Sequence, residues 1–224
     1  MTDPTNDLIP LQSNTQSSTP QKRVKRADAL ANRQLVLETA QRLFSEQGIQ
    51  NVKMMALAEA AGLGQGTLYR AFANKGEVCL ALMDEDLRHF QDETLHLLRT
   101  TTHTSVLDQL GQFLEQIIYF LDQHAALMCE VQGYEIIGDE INHTGLHTWF
   151  HHTINLLLQQ AQRQGEVRAN LDLAYATDAI LAPLHPNLFT YQRQTLGLSL
   201  EKISQELRGV IWGGIRRESI GTSL

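Results

Sequence analysis

Residues Val52 to Lys75 read VKMMALAEAAGLGQGTLYRAFANK, and this stretch decides the fold. Leu57, Ala58 and Ala61 give one apolar stripe at helical spacing, and Leu68 and Phe72 give a second. Gly62 stands between them, where a turn joining crossing helices asks for a backbone free to take positive φ. Ala58 is small enough to let the second helix come close to the first, and Leu63 and Leu68 fill the gap. The spacing predicts two short helices and a tight turn, a helix-turn-helix whose second helix can enter a DNA major groove.

The outward face of that second helix is unlike an ordinary solvated one, which would carry Glu/Lys pairs. It offers Gly64, Gln65, Gly66, Thr67, Tyr69 and Arg70. Glutamine can bond an adenine edge through two contacts, while Thr, Tyr and Arg suit phosphates. The glycines let backbone N–H groups approach a phosphate closely. A helical hairpin used only for packing has no need of these groups on its outer side.

At these residues the chain resembles the DNA-binding domain of the TetR family of transcriptional regulators. The family pattern runs from a helix ending in LF-x-x-x-G, through (I/L)-A-x-x-A-G, to G-T-(L/I)-Y-x-x-F-x-x-K. Here those elements are Leu43-Phe44 to Gly48, Leu57-Ala58 to Ala61-Gly62, and Gly66-Thr67-Leu68-Tyr69 to Phe72 and Lys75. The match covers about Arg33 to Leu82 in order and spacing. The resemblance implies an all-α protein: a three-helix N-terminal helix-turn-helix domain and a larger helical ligand-binding and dimerisation domain. It also implies that Lys75, like the family lysine, anchors to phosphate. Three positions depart from the pattern. Val52-Lys53 stands where relatives carry Thr or Ser, so Asn51 caps the helix or the cap is lost, and Lys53 becomes a cationic phosphate contact. Met55 stands at a base-reading position, and Ala71 where a phosphate-contacting His is frequent.

Charge is distributed as this reading requires. The formal net charge of the 224 residues is -7. Yet nine Lys/Arg face only four Asp/Glu between Gln21 and Gly76, whereas nine face nineteen from Glu77 onward. A basic module therefore precedes an acidic body, and only the module suits phosphate. Hydrophobic residues make up 42% and prolines number five, which favours a helical core.

Residues 1–26 are expected to be a disordered tail that ends in a basic arm. Met1 to Pro20 is too polar to offset ordering entropy. Lys22, Arg23, Lys25 and Arg26 form either a solubilising run or an arm along the DNA. Residues 27–74 are the helix-turn-helix domain, with a first helix from Asp28 to Gln47 closed by Gly48. Arg33 on it reaches either a phosphate or solvent. Residues 75–224 are the helical body. A long helix runs from Lys75 to about Thr101, followed by Val106–Leu121, His124–Ile137, and Leu146–Gln164 closed by Gly165. Asp172–Ala182 comes next, then a break at Pro183 and Pro186, renewed helix from Asn187 to Gln194, and a last helix from the Ser199 cap to about Arg216. The resemblance implies that 172–194 and 199–216 pair with their copies in a homodimer, where close approach would explain Gly213 and Gly214.

Cys79 and Cys129 make no disulfide framework and read as two buried thiols or a redox pair. With no apolar leader or membrane span in view, the chain is expected to be cytoplasmic and nucleoid-associated.

His147 and His151 lie four apart, a metal-ligand spacing on one helix face, with His143 and His152 nearby. No further ligand is forced by spacing, so they remain weak candidates. No nucleophile motif or phosphate-cofactor loop appears, so neither an enzyme nor a cofactor is expected. The resemblance implies an effector pocket in the body, for which Phe90, Phe113, Tyr119, Met128, Tyr134, Trp149 and Phe189 are aromatic or apolar candidates.

The expected function is a sequence-specific transcriptional regulator, a repressor that binds double-stranded palindromic DNA as a homodimer and is released by a small-molecule effector. An effector-independent or architectural DNA binder is an alternative. A helical metal-binding protein or metalloenzyme using His147 and His151 is another.

Overall fold

The structure is a computed structural model and describes residues 20–101, 104–135 and 145–216. Among the described residues there are helices and no strand, apart from a single bridge pairing Val167 with Arg216. The N-terminal domain comprises α1 (Pro20–Gln47), α2 (Met54–Ala60) and α3 (Gln65–Ala71). The body comprises α4 (Lys75–Thr100), α5 (Val106–Glu135), α6 (Gly145–Arg163), α7 (Leu173–Leu181), α8 (Pro186–Thr190) and α9 (Leu200–Ile215).

The helix α1 starts at Pro20 rather than Asp28, so the basic run belongs to its first turns. Proline is well placed at a first helical position because its missing N–H would be unbonded there anyway. Gly48 leaves α1 with φ 81°, and Asn51 donates to the Gln47 carbonyl at 2.8 Å. Asn51 therefore closes α1 instead of capping α2. The α2 N-cap is Lys53, which supplies no side-chain acceptor. Gly62 takes φ 65°, and the Leu63 N–H returns to the Ala58 carbonyl at 2.9 Å, a left-handed closure that ends α2 and aims α3.

Val36, Ala40, Leu43, Val52, Leu57, Leu68, Phe72 and Val78 form the buried core of this domain. The helix α4 begins at Lys75 as expected, and Asn74 caps it. The Asn74 Oδ1 accepts from the Glu77 N–H at 2.9 Å, and the Glu77 carboxylate accepts from the Ala73 N–H at 2.7 Å. This reciprocal N-terminal lock is an Asn-x-x-Glu signature that the sequence contains.

The body is built around α5, which packs on α4, α6, α8 and α9. Its 30 residues form one helix, not the two expected on either side of Asp122-Gln123. Neither residue there forbids helix, and with no Gly or Pro the backbone simply continues. Glu166 fastens its start, accepting from the Val106 and Leu107 N–H groups, each at 2.9 Å. Gly165, with φ 73°, ends the preceding α6 and lets Glu166 reach that point. Phe113, Leu114, Ile117, Ile118 and Leu121 on α5 meet Ile154 and Leu158 of α6 and Phe189 of α8 in a continuous core. After α7, Ala182–Leu184 tightens into a 3-10 turn, Pro186 opens α8, and Tyr191–Thr195 widens into a π turn. Ser199 caps α9, accepting from the Lys202 N–H at 3.2 Å.

Candidate nucleic-acid interface and interior cavity

The recognition helix α3 is pinned from beneath. Leu68 and Phe72 are 0% and 1% exposed. With those two positions inward, helical geometry turns Gln65, Gly66, Tyr69 and Arg70 outward, and all four are exposed. Thr67 is half-buried. Gly64 precedes α3 as its N-cap in extended backbone, and a Cβ at Gly64 or Gly66 would meet nothing within 4 Å. Lys53 and Met55 at the start of α2 are also exposed, Met55 at 61%. Cationic, thioether, amide, hydroxyl and aromatic groups are thus available on the α2–α3 surface.

Two arginines behave differently from a simple phosphate contact. Arg33 on α1 donates to the Ala71 carbonyl at 2.9 Å and lays its guanidinium 4.1 Å from the Phe72 ring centroid. It fixes the C-terminal end of α3 from a neighbouring helix, through a hydrogen bond and a cation–π contact. Arg70 lies along its own helix, bonding the Gly66 carbonyl at 2.9 Å and the Thr67 hydroxyl at 3.3 Å.

Lys75 corrects the expectation of a phosphate anchor. Its residue is 7% exposed, and its ammonium donates to the carbonyls of Ile49 at 2.8 Å and Val52 at 3.1 Å. It also pairs with Glu130 of α5 at 3.1 Å. The ammonium therefore holds the turn before α2 against the body and is turned away from solvent. Its short spacing from the recognition helix gave no sign of this, because Glu130 lies 55 positions along the chain.

Beside that pair, Cys79, Met83 and Val131 form a small buried cluster that also touches Phe44, Ile49 and Met128. Burial, reinforced by Glu130, pushes the Cys79 thiol up to about 12. Burial also raises the Cys129 thiol. The cluster joins the helix-turn-helix domain to the floor of an interior cavity of about 260 Å³. Leu80, Met83, Met128 and Val131 line it from α4 and α5, and Phe150, His147, Asp178 and His185 from α6 to α8.

Of the pocket candidates, Met128 lines this cavity. Phe90, Phe113 and Phe189 are core side chains, exposed by 7%, 0% and 1%. Trp149 stands edge-on to Phe90 and Phe113, and Tyr119 is 47% exposed on the outer face. The side chain of Tyr134 lies outside the described residues. Most of the large rings close the core, while Phe150 and the flexible thioethers of Met83 and Met128 stand at this cavity. The Pro183/Pro186 break was the better signal, because the cavity opens beside it.

The rings of His147 and His151 lie 6.5 Å apart. His151 faces Asp178 at 3.2 Å. Among the described residues no three His, Cys, Asp or Glu side chains converge as a metal site. His143 lies outside the described residues.

Comparison with known proteins agrees with this geometry. Residues 36–82 match the family described as bacterial regulatory proteins, tetR family. An HTH-type transcriptional regulator of Staphylococcus aureus (strain USA300) is 43% identical over 114 residues, covering 48% of this chain and 58% of that protein. Another, from the bovine strain RF122, is 43% identical over 65 residues, covering 29% and 35%. The chain thus spans 58% and 35% of the lengths of these two relatives. Among solved structures, Thermus thermophilus FadR, a TetR-family repressor in complex with lauroyl-CoA, superposes with a TM-score of 0.61 at 18% identity, over 84% of this chain and 97% of that one. A transcriptional regulator from Saccharomonospora viridis in complex with choline gives 0.61 at 19% identity, over 83% and 97%. The likeness to these structures is one of fold, an N-terminal helix-turn-helix domain on a larger helical body. Over residues 36–82, its helix-turn-helix domain, the chain is similar to the TetR family of bacterial regulatory proteins.

Proposed function

We propose that this protein is a transcriptional regulator that binds a palindromic operator as a homodimer and releases it when a small molecule enters the body. The observation that carries the reading is the exposed face of α3, held outward by the buried Leu68 and Phe72. Gln65 reads a base edge in the major groove, and Thr67 and Tyr69 grip the backbone. Arg70 leaves its own helix to meet a phosphate, exchanging a neutral carbonyl for a charged acceptor. One α3 reads too few base pairs for useful specificity, so two copies must address two half-sites.

The body supports such a pairing. On α9, Val210 is 75% exposed, and a Cβ at Gly209, Gly213 or Gly214 would meet nothing within 4 Å. Tyr175 on α7 is 75% exposed as well. A run of small residues on α9 beside the exposed Val210 suits a twofold helix-on-helix interface.

The cavity supports the effector, and fold neighbours bind lauroyl-CoA and choline. Its floor shares Met83, Met128 and Val131 with the cluster that touches Phe44 and Ile49, and Lys75–Glu130 bridges the same two bodies. A molecule seated there acts by preferring one arrangement of α4 against α5, which changes the separation of the two recognition helices. A cavity of this kind favours the ligand-responsive reading over an effector-independent binder.

The test is selection of duplexes from a random pool, followed by titration of the selected site and of random DNA. The selected site is expected to be an inverted repeat bound in preference to random duplex. Gln65→Ala is expected to relax sequence preference, and Tyr69→Phe to weaken binding to every duplex. Equal binding of the unaltered protein to selected and random DNA would overturn the proposal.

A further inference from the structure

Several cations of the N-terminal domain are already engaged. Arg33 holds Ala71 and Phe72, Arg70 lies along α3, Lys75 is buried, and Arg42 pairs with Glu46 at 3.4 Å. The run at the start of α1 is different. Lys22, Arg23, Lys25 and Arg26 meet one acid, Asp28, between residues 20 and 35. Lys25 and Arg26 are exposed, and neither forms an ion pair or a hydrogen bond among the described residues. Every residue from 25 to 31 is exposed, Leu30 at 68% included, so no face of these two turns packs on the protein.

The direction of α1 decides where this segment goes. Near the C-terminal end of α1, Phe44 touches the cluster of Cys79, Met83 and Val131 in the body. Eleven positions earlier, Arg33 bonds the carbonyl of Ala71, the last residue of α3. Followed towards its N-terminus, α1 therefore leaves the body and passes the C-terminal end of α3. Arg26 and Lys22 stand seven and eleven positions before Arg33, about 10 and about 17 Å further along the axis. A recognition helix fills a major groove about 12 Å wide, so a helix that overruns it by this distance meets the sugar-phosphate backbone at the groove edge. Phosphates follow one another about every 3.4 Å along a strand, and the overrun spans roughly three to five of them. A run that served solubility alone has no reason to crowd cations where the helix dipole is positive, and the first turn of α1 holds no acid to offset them.

We infer that the start of α1 is a second DNA contact, a cationic helical prow that lies on phosphates flanking the base pairs addressed by α3. This contact rests on the DNA-binding reading above and extends it. Phosphate contacts carry no sequence information, so the prow adds affinity and lengthens the operator but leaves base preference to α3.

The test compares the full chain with the variant Lys22→Gln/Arg23→Gln/Lys25→Gln/Arg26→Gln on three duplexes. These are the selected inverted repeat cut at its ends, the same repeat extended by about ten base pairs on each side, and random DNA of the longer length. The unaltered chain is expected to bind the extended repeat about tenfold tighter than the cut one, and the variant to bind both within about twofold. On the extended repeat, the slope of log affinity against log salt is expected to shrink by about 0.9 for each phosphate contact removed, about 2 or more in all. Glutamine keeps helix propensity and the segment is unpacked, so the urea midpoint is expected to be unchanged, as is the preference for selected over random DNA. An unchanged salt slope would overturn the inference, as would an equal loss on the cut and extended repeats. So would binding to phosphatidylserine/phosphatidylcholine vesicles that the substitutions abolish while DNA binding is untouched. Those outcomes leave the operator reading standing. If the unaltered chain instead shows no preference for the selected repeat, the operator reading fails, and the salt slope on random DNA still decides for or against the prow.

Discussion

Replacing Lys75 with methionine removes the donor to the Ile49 and Val52 carbonyls and strands the Glu130 carboxylate beside an apolar cluster. Breaking one side of a buried ion pair costs about 3 kcal/mol, so Lys75→Met is expected to lower the urea midpoint substantially. The double variant Lys75→Met/Glu130→Leu is expected to recover much of that loss, because no lone charge is left behind. Operator affinity is expected to stay low in both, since the turn ahead of α2 has lost its tether. Cys79 offers a second measurement at the same place. With its thiol pushed from 9.0 up to about 12, Cys79 is expected to resist alkylation at pH 8 until the protein unfolds. The sign for stability follows from the raised value. Below pH 9.0 folded and unfolded thiols are both protonated and the contribution is complete, and it is lost as pH rises from there towards about 12.

At the level of single elements, two glycines separate folding from recognition. Gly62 has φ 65° and open space around it, so Gly62→Ala is expected to cost about 1–2 kcal/mol through backbone strain alone. Gly66 lies within α3, and a methyl there meets nothing within 4 Å. Gly66→Ala is expected to leave stability unchanged or raise it by up to about 1 kcal/mol. If its backbone approaches a phosphate, the same change weakens DNA binding, and comparing urea melts with duplex titration checks both halves. The outward face of α3 was legible in the sequence because it rests on local spacing: Leu68 and Phe72 inward, Gln65 and Tyr69 outward. The unbroken α5 was not, because nothing local distinguishes a polar pair at Asp122-Gln123 from the end of a helix. Nor were the tether of Lys75 and the clamp of Arg33 on Ala71, which join residues 55 and 38 positions apart. A pocket in the body was expected, but its wall was not legible for a related reason: it is a space left between five helices, and most residues at its wall are ordinary core types.

For the molecule as a whole, the proposed pairing through α9 has a direct check. Val210→Glu places a charge on a side chain that is already 75% exposed, so the folded subunit is expected to tolerate it. The same charge in a twofold interface meets its own copy, and the variant is expected to sediment as a monomer where the unaltered protein sediments as a dimer. Binding to an inverted repeat should then fall towards that of a single half-site. The three-way apolar cluster of Cys79, Met83 and Val131 carries a consequence for heating. Because it packs Phe44 and Ile49 against the near ends of α4 and α5, the small N-terminal unit is expected to melt together with the body. Differential scanning should record one endotherm for both parts, and trimming Met83 to alanine should split it into two.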